Sequence, residues 1–376
     1  MEPTMDISRK RFGRPVSIRD GHDNFFTPLR LLFALLVVIG HAYAVGKGSP
    51  DAEPQLFLSY TFSYMAVNLF FITSGFLVTK SMLYRGDPTL FTASRLIRIY
   101  PALIVHVLFV VFIVGTFMSD LPLWAYLSHP DVLSQPIRVL SFFNTDMILP
   151  GVFADNGEPY ASAPLWTLRF EMLCYIGTVL AFTLGLMRRK WMLLAQFVVP
   201  SIIWIVGQQS GTFEHLPASL ENMIRFAIAY GLGTAIYAYR DRITVSLWMI
   251  PALALLCWLI RDIEAVEVTM NLMLAAFVMW AAFLHAPRFD ALKRLPDMSY
   301  GLYIYHWVIL QTAMALWPGL SVIALFAIAL PITLGLAWLS WIWIEKPALA
   351  RKGPFSDWLR FGREPKPFDR NAVLID

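Results

Sequence analysis

The sequence has little charge and almost no cysteine: Asp, Glu, Lys and Arg make up 15% of its 376 residues, and Cys174 and Cys257 are its only thiols. So few charges cannot cover the surface of a soluble domain of this length, and with 57% hydrophobic residues and a mean hydropathy of +0.59 the chain reads as a polytopic membrane protein. Both cysteines lie inside apolar runs, as buried small hydrophobes rather than a disulfide or a metal pair. No long basic stripe with interleaved aromatics is present, so the net charge of +4 is a topology signal and no nucleic-acid partner is expected. No small-residue cleavage pattern follows the first apolar run, so that run is expected to stay in the mature protein. No internal repeat is visible, and the two halves do not mirror each other.

What is present is a series of apolar runs near 27–46, 57–81, 99–118, 164–187, 191–208, 220–239, 243–260, 267–286, 298–316 and 319–344. These predict an all-α integral membrane protein of about ten transmembrane helices. Lys and Arg follow every second run, at Arg85, Arg188, Arg240, Lys293 and Arg351 among others, while the alternate loops carry Asp51, Glu53, Asp120, Asp131, Glu158 and Glu264. The positive-inside rule then places both termini in the cytoplasm. The expected organisation is a basic cytoplasmic arm over 1–24 with Arg9, Lys10, Arg11, Arg14 and Arg19, a ten-helix domain over 25–348, and a cytoplasmic tail over 349–376. The loop near 119–163 is too long to be a simple connection, and reads equally as a lid over an outward-facing substrate or as interfacial packing.

Polar side chains within hydrocarbon are costly, so each asks for a partner or a task. Arg30 and His41 are eleven residues apart, which puts them within about 20° of one helical face and roughly 16 Å apart along it. Asn68 sits mid-run, with Ser74 and Gly75 after it, a small pair that suits close helix contact as well as a ligand. Arg95 and Arg98, at i and i+3, suit the forked recognition of phosphate, or simply mark the cytoplasmic side. Thr167, Glu171 and Tyr175 share one face after Trp166, and Ser299, Tyr303 and His306 share another. Glu345-Lys346-Pro347 reads as a helix stop.

Taken together these stretches resemble the acyltransferase-3 family, integral-membrane acyltransferases that modify cell-surface polysaccharides in bacteria. The resemblance is carried by Arg30 and His41, by Phe70-Phe-Ile-Thr-Ser-Gly-Phe-Leu77, by Arg95, Arg98, Tyr100 and Pro101, by Trp166 and Glu171, and by Ser299, Tyr300, Tyr303 and His306, in order along the whole chain. It implies transfer from cytoplasmic acyl-CoA to a hydroxyl of an exopolysaccharide, an O-antigen or a lipid-linked oligosaccharide precursor, in the bacterial inner membrane. Acetyl-CoA is the first expectation and succinyl-CoA its competitor; no permanently bound cofactor and no metal is implied. The expected catalytic residues are His41, Arg30 and Glu171, with Arg95, Arg98, Ser74 and Gly75 at the donor and Asn68, Trp166, Tyr175, Tyr303 and His306 at the acceptor. Members often carry an aspartate shortly before the first arginine, whereas here Asp23 is the nearest candidate, so the partner of Arg30 is open. Glu171 is the candidate for setting the His41 tautomer. The rival reading is a proton-coupled carrier or flippase for a lipid-linked sugar, using His41 and Glu171 as a relay.

Overall fold

The computed structural model describes residues 15–18 and 23–360. Of the expected basic arm, Arg9, Lys10, Arg11, Arg14 and Arg19 lie outside the described residues, as does the tail beyond 360. The chain is 74% helical, with only two- and three-residue strand pairings, so it is an all-α membrane protein. In order the helices are α1 (Phe26–Lys47), α2 (Phe62–Arg85), α3 (Pro88–Met118), α4 (Leu123–Leu127), α5 (Pro130–Leu140), α6 (Trp166–Thr183), α7 (Lys190–Gln209), α8 (Ala218–Ala238), α9 (Met249–Leu259), α10 (Val266–Phe283), α11 (Ser299–Leu316), α12 (Val322–Ala350) and α13 (Lys352–Leu359). A helix stands on every apolar run of the sequence, and six of them (α1, α2, α3, α7, α10 and α12) are long and apolar enough to cross a membrane by length and composition.

Two boundaries differ from the hydropathy reading for local reasons. α2 starts at Phe62 because the preceding residues form a hairpin, Gln55–Phe57 against Tyr60–Thr61, and the Thr61 hydroxyl then accepts from the Tyr64 N–H. α3 starts at Pro88, well before its apolar run. The Asp87 carboxylate accepts from the Thr89 and Leu90 N–H groups at 3.0 Å each, and Pro88 is pre-set for a first helical turn. Gly86, at φ 63°, supplies the left-handed residue that turns α2 into α3. The result is that Arg95 and Arg98 sit on the first half of a long helix and face the bundle.

α2 is the central helix, with 67% of its most apolar window buried, against 28% for α7 and 22% for α12 at the periphery. Its contact with α8 depends on Gly75 and Gly233. A methyl group built on Gly75 overlaps the Tyr230 carbonyl, and one on Gly233 overlaps the Ile72 carbonyl. Such backbone-to-backbone approach is how helices associate where lipid competes for apolar side chains. Ile202, Ile203 and Val206 on α7 and Ile323, Ile332 and Trp338 on α12 point outward, the surface a bilayer would cover. α1, α3, α6 and α11 close around the open side of α2.

The last part of the long segment between α3 and α6 is strapped onto the end of α11: the Trp307 indole N–H donates to the Tyr160 carbonyl at 2.7 Å, and the Asn156 amide donates to the Gln311 side chain at 2.6 Å. Trp124 of α4, Leu133 and Ile137 of α5, and Phe143 just after it are exposed.

Candidate functional site

Between α1, α2, α3, α6 and α11 lies a cavity of about 100 Å³. Arg30, Arg95 and Arg98 stand at one end, and Glu171, Tyr175, Ser74, Thr167 and Tyr303 line its walls. Apolar Val67, Phe70, Phe71 and Leu77 of α2 supply the remaining surface. A mostly apolar lining with a few convergent polar groups has the make-up of a small-molecule site.

The arginine end is held by carboxylates that the sequence did not announce. Asp297, just before α11, accepts from Arg30 at 2.8 Å and from Arg98 at 2.8 Å through the same oxygen, while its other oxygen accepts from the Ser299 hydroxyl at 2.7 Å. Arg98 reaches on to Glu345 of α12 at 3.2 Å, and Glu345 is 2% exposed and also accepts from the Ser340 hydroxyl. Burial alone would raise the Asp297 carboxyl, but the Arg30 and Arg98 guanidiniums and the Ser299 hydroxyl outweigh it and hold it at about 2. Arg30 therefore pairs with Asp297 and not with Asp23, whose carboxylate is bonded to Lys293. Glu345 is not the solvent-facing helix stop expected of it. It lies on a π-turn over Trp341–Glu345 that aims its carboxylate inward at α3.

Arg95 is different from its neighbours. Its guanidinium stands 5.5 Å from the ring centres of both Phe91 and Tyr175, its Nε is buried without a hydrogen-bond partner, and it has no carboxylate partner among the described residues. The i, i+3 pair thus splits into one neutralised arginine and one still available to an anion.

The other landmark is a pair of imidazoles. His41 Nδ1 lies 2.7 Å from His306 Nε2, and His306 Nδ1 lies 3.2 Å from the Leu302 carbonyl oxygen. Trp307 meets the His41 ring edge-on at 5.0 Å. Tyr303 connects this pair to the cavity. Its ring is 6.1 Å from that of His306, its hydroxyl bonds Thr167 Oγ1 at 2.7 Å, and both tyrosine and threonine line the cavity. The Glu53 carboxylate, fixed by the Ser63 N–H and hydroxyl at 2.5 Å each, fills the notch left by Gly40 beside His41.

Glu171 does not orient His41. It accepts from the Tyr175 hydroxyl one turn on, inside the cavity, and the imidazole's partner is His306. Ser74 lines the cavity, whereas Gly75 is turned the other way against α8. Trp166 packs on Phe170 and Phe226 at 5.8 and 5.7 Å, outside the cavity lining. Asn68 donates to Glu267 at 3.1 Å. Glu267, 2% exposed, also accepts from Tyr64 at 2.9 Å and Asn271 at 2.9 Å, while Arg225 stacks 4.0 Å over the Tyr64 ring, so this second polar group ties α2, α8 and α10 together. Among the described residues no group of three or more His, Cys, Asp or Glu side chains is placed to hold a metal ion. Asp297 could have been found in the sequence as the acid two residues before Ser299, at the start of a polar-faced apolar run, and Glu267 as a carboxylate inside an apolar run.

A helical membrane bundle encloses a cavity lined by three arginines, and a histidine pair lies behind its Tyr303 wall. The sequence model of the acyltransferase-3 family, described as an acyltransferase domain, matches residues 24–342, and the chain belongs to that family. It is similar to a protein named O-acetyl transferase from Shigella phage Sf6, 28% identical over 88% of this chain and 97% of the relative. It is also similar to Nodulation protein 10 of Rhizobium leguminosarum bv. viciae, 29% identical over 88% of this chain and 94% of that relative. No solved structure matches. The family description and the name of the phage relative both point to acyltransferase chemistry, and the carrier reading gains nothing from them.

Proposed function

We propose that this protein transfers an acyl group, acetyl first and succinyl as the competitor, from cytoplasmic acyl-CoA to a hydroxyl of a cell-surface polysaccharide or its lipid-linked precursor. In this reading it spans the bacterial inner membrane ten times with both termini in the cytoplasm, so that the arginine end of the cavity faces the donor. The observation that carries it is the continuity from arginines to cavity to histidines: Arg95 at the mouth, Ser74, Glu171 and Tyr175 along the wall, and Tyr303 leading to the His41–His306 pair. Arg95 takes a phosphate of the donor, Arg30 and Arg98 shape the mouth, and the acyl-pantetheine arm enters the cavity.

His41 then serves as general base on the acceptor hydroxyl. The acceptor oxygen attacks the thioester carbonyl, the C–S bond breaks, and the proton held by His41 passes to the departing thiolate, giving the acylated acceptor and free CoA. No residue is left changed at the end of the cycle. The test is acyl-CoA-dependent labelling of polysaccharide by isolated membranes containing the protein or its His41→Ala variant at equal abundance. Labelling that requires both acyl-CoA and His41 is the expected result; equal labelling by the variant refutes the assignment of the base, and no labelling by the unaltered protein refutes the transfer.

A further inference from the structure

The proton positions in the histidine pair follow from what its last member can accept. A backbone carbonyl has no proton to give, so the contact between the Leu302 oxygen and His306 Nδ1, 3.2 Å, requires that Nδ1 carry the hydrogen. A neutral imidazole has one N–H, so His306 Nε2 is then an acceptor, and the atom 2.7 Å away, His41 Nδ1, must donate. His41 is thereby left with a bare Nε2. The ring geometry agrees with a directional bond. The two rings are only 18° from parallel with centres 5.0 Å apart, which equals the N···N distance plus the two ring radii, so they meet tip to tip in nearly one plane and are not stacked face on face.

We propose that His306 is a positioning residue that fixes the Nδ1–H tautomer of His41 and so presents Nε2 as the proton acceptor for acyl transfer; this rests on the reading of His41 as general base. When Nε2 takes the proton of the acceptor hydroxyl, the His41 imidazolium donates a stronger hydrogen bond from Nδ1 to His306 Nε2, and the proton leaves with the thiolate. The role is the one a buried carboxylate plays in a serine hydrolase, performed here by a neutral acceptor. Inside a membrane that difference matters, because a neutral partner carries no buried charge while His41 is neutral. Protonated His306 would turn Nε2 into a donor, force His41 to accept at Nδ1 and place its hydrogen on Nε2, which abolishes the base. The titratable groups facing the pair are Tyr303 of α11, His106 of α3 and the Glu53 carboxylate, which Ser63 holds in the notch at Gly40, and none of them lies between the two rings.

The test compares His41→Ala, His306→Ala and His306→Gln in membranes assayed for acyl transfer across pH, together with ¹⁵N NMR of ring-labelled protein. His306→Ala is expected to lower kcat by about 10²- to 10³-fold with the donor KM within roughly 3-fold. Glutamine offers an amide oxygen to His41 Nδ1–H, so His306→Gln is expected to recover activity to within about 10-fold and to move the acid limb of the kcat profile. In the unaltered protein the His41 spectrum should show a protonated Nδ1 and a bare Nε2. Unchanged kcat and pH profile in His306→Ala, with His41→Ala inactive, overturns the inference and spares the base assignment; activity in His41→Ala removes the base assignment itself. A variant that fails to accumulate leaves the tautomer decisive, and the opposite one overturns the proposal.

Discussion

The arginine cluster at the cavity and the histidine pair behind its Tyr303 wall solve the same problem in opposite ways. At the arginine end, four formal charges (Arg30, Asp297, Arg98 and Glu345) are placed in contact and cancel pairwise. The histidine pair itself carries no formal charge: two imidazoles and a backbone carbonyl satisfy one another in a chain, and the neighbouring Glu53 carboxylate is satisfied separately by Ser63. The first arrangement costs desolvation that only good geometry repays, and it locates α1, α3, α11 and α12 relative to one another. The second is inexpensive to bury and keeps a free lone pair. Charge is thus spent on fixing the mouth, and chemistry is left to neutral groups.

The comparison is broken most sharply by removing the imidazole. His41→Ala is expected to lower acyl transfer by about 10³-fold or more, roughly 4 kcal/mol of transition-state stabilisation, with little change in melting temperature. At the other end the order reverses. Asp297→Asn leaves two guanidiniums with one carboxylate, and should cost about 2–4 kcal/mol of stability, read as a lower melting temperature in detergent. The sign with pH follows from the same contacts. The Asp297 carboxyl is held at about 2, below the ordinary 3.8, so its contribution is complete above about pH 4 and is lost as pH falls toward 2. The unaltered protein should therefore show a stability loss in that window that Asp297→Asn lacks, measured by thermal unfolding at pH 6, 4 and 3. Next in size is Arg95→Gln, which has no carboxylate to orphan: the donor KM should rise about 10-fold with stability nearly unchanged, while Arg98→Gln should lose stability first.

Much of each end was legible one helix at a time. Helical pitch put Arg30 and His41 on one face, and the structure turns that face toward α11, where Asp297 and His306 meet them. Pitch likewise grouped Thr167, Glu171 and Tyr175, which line one wall. What a single sequence does not contain is which helix faces which. Asp297 is 267 residues from Arg30 and His306 is 265 from His41, and no local spacing encodes those pairings. Arg95 and Arg98 share a helical face yet have different fates, because α11 and α12 bring carboxylates to one and α6 brings an aromatic ring to the other. Gly75 stood in a motif that suggested ligand contact, and its actual neighbour is the backbone of α8, the other meaning that a small residue in a membrane helix carries.

The smallest expected effect tests whether the wall between the two ends matters as hydrogen bond or as surface. Tyr175 donates to Glu171 and carries the Arg95 guanidinium on its ring. Tyr175→Phe keeps the ring and deletes the hydroxyl, whose net worth is about 1 kcal/mol, since Glu171 faces a cavity and can accept from water instead. Its activity should stay within about 3-fold of the unaltered protein. Tyr175→Ala removes the platform as well, and should raise the donor KM about as far as Arg95→Gln does, with the double variant no worse than either single one. If phenylalanine and alanine are equally damaging, the Glu171 bond and not the ring positions the donor, and the neutral chemistry seen at the histidine end extends further down the cavity than the arginine cluster suggests.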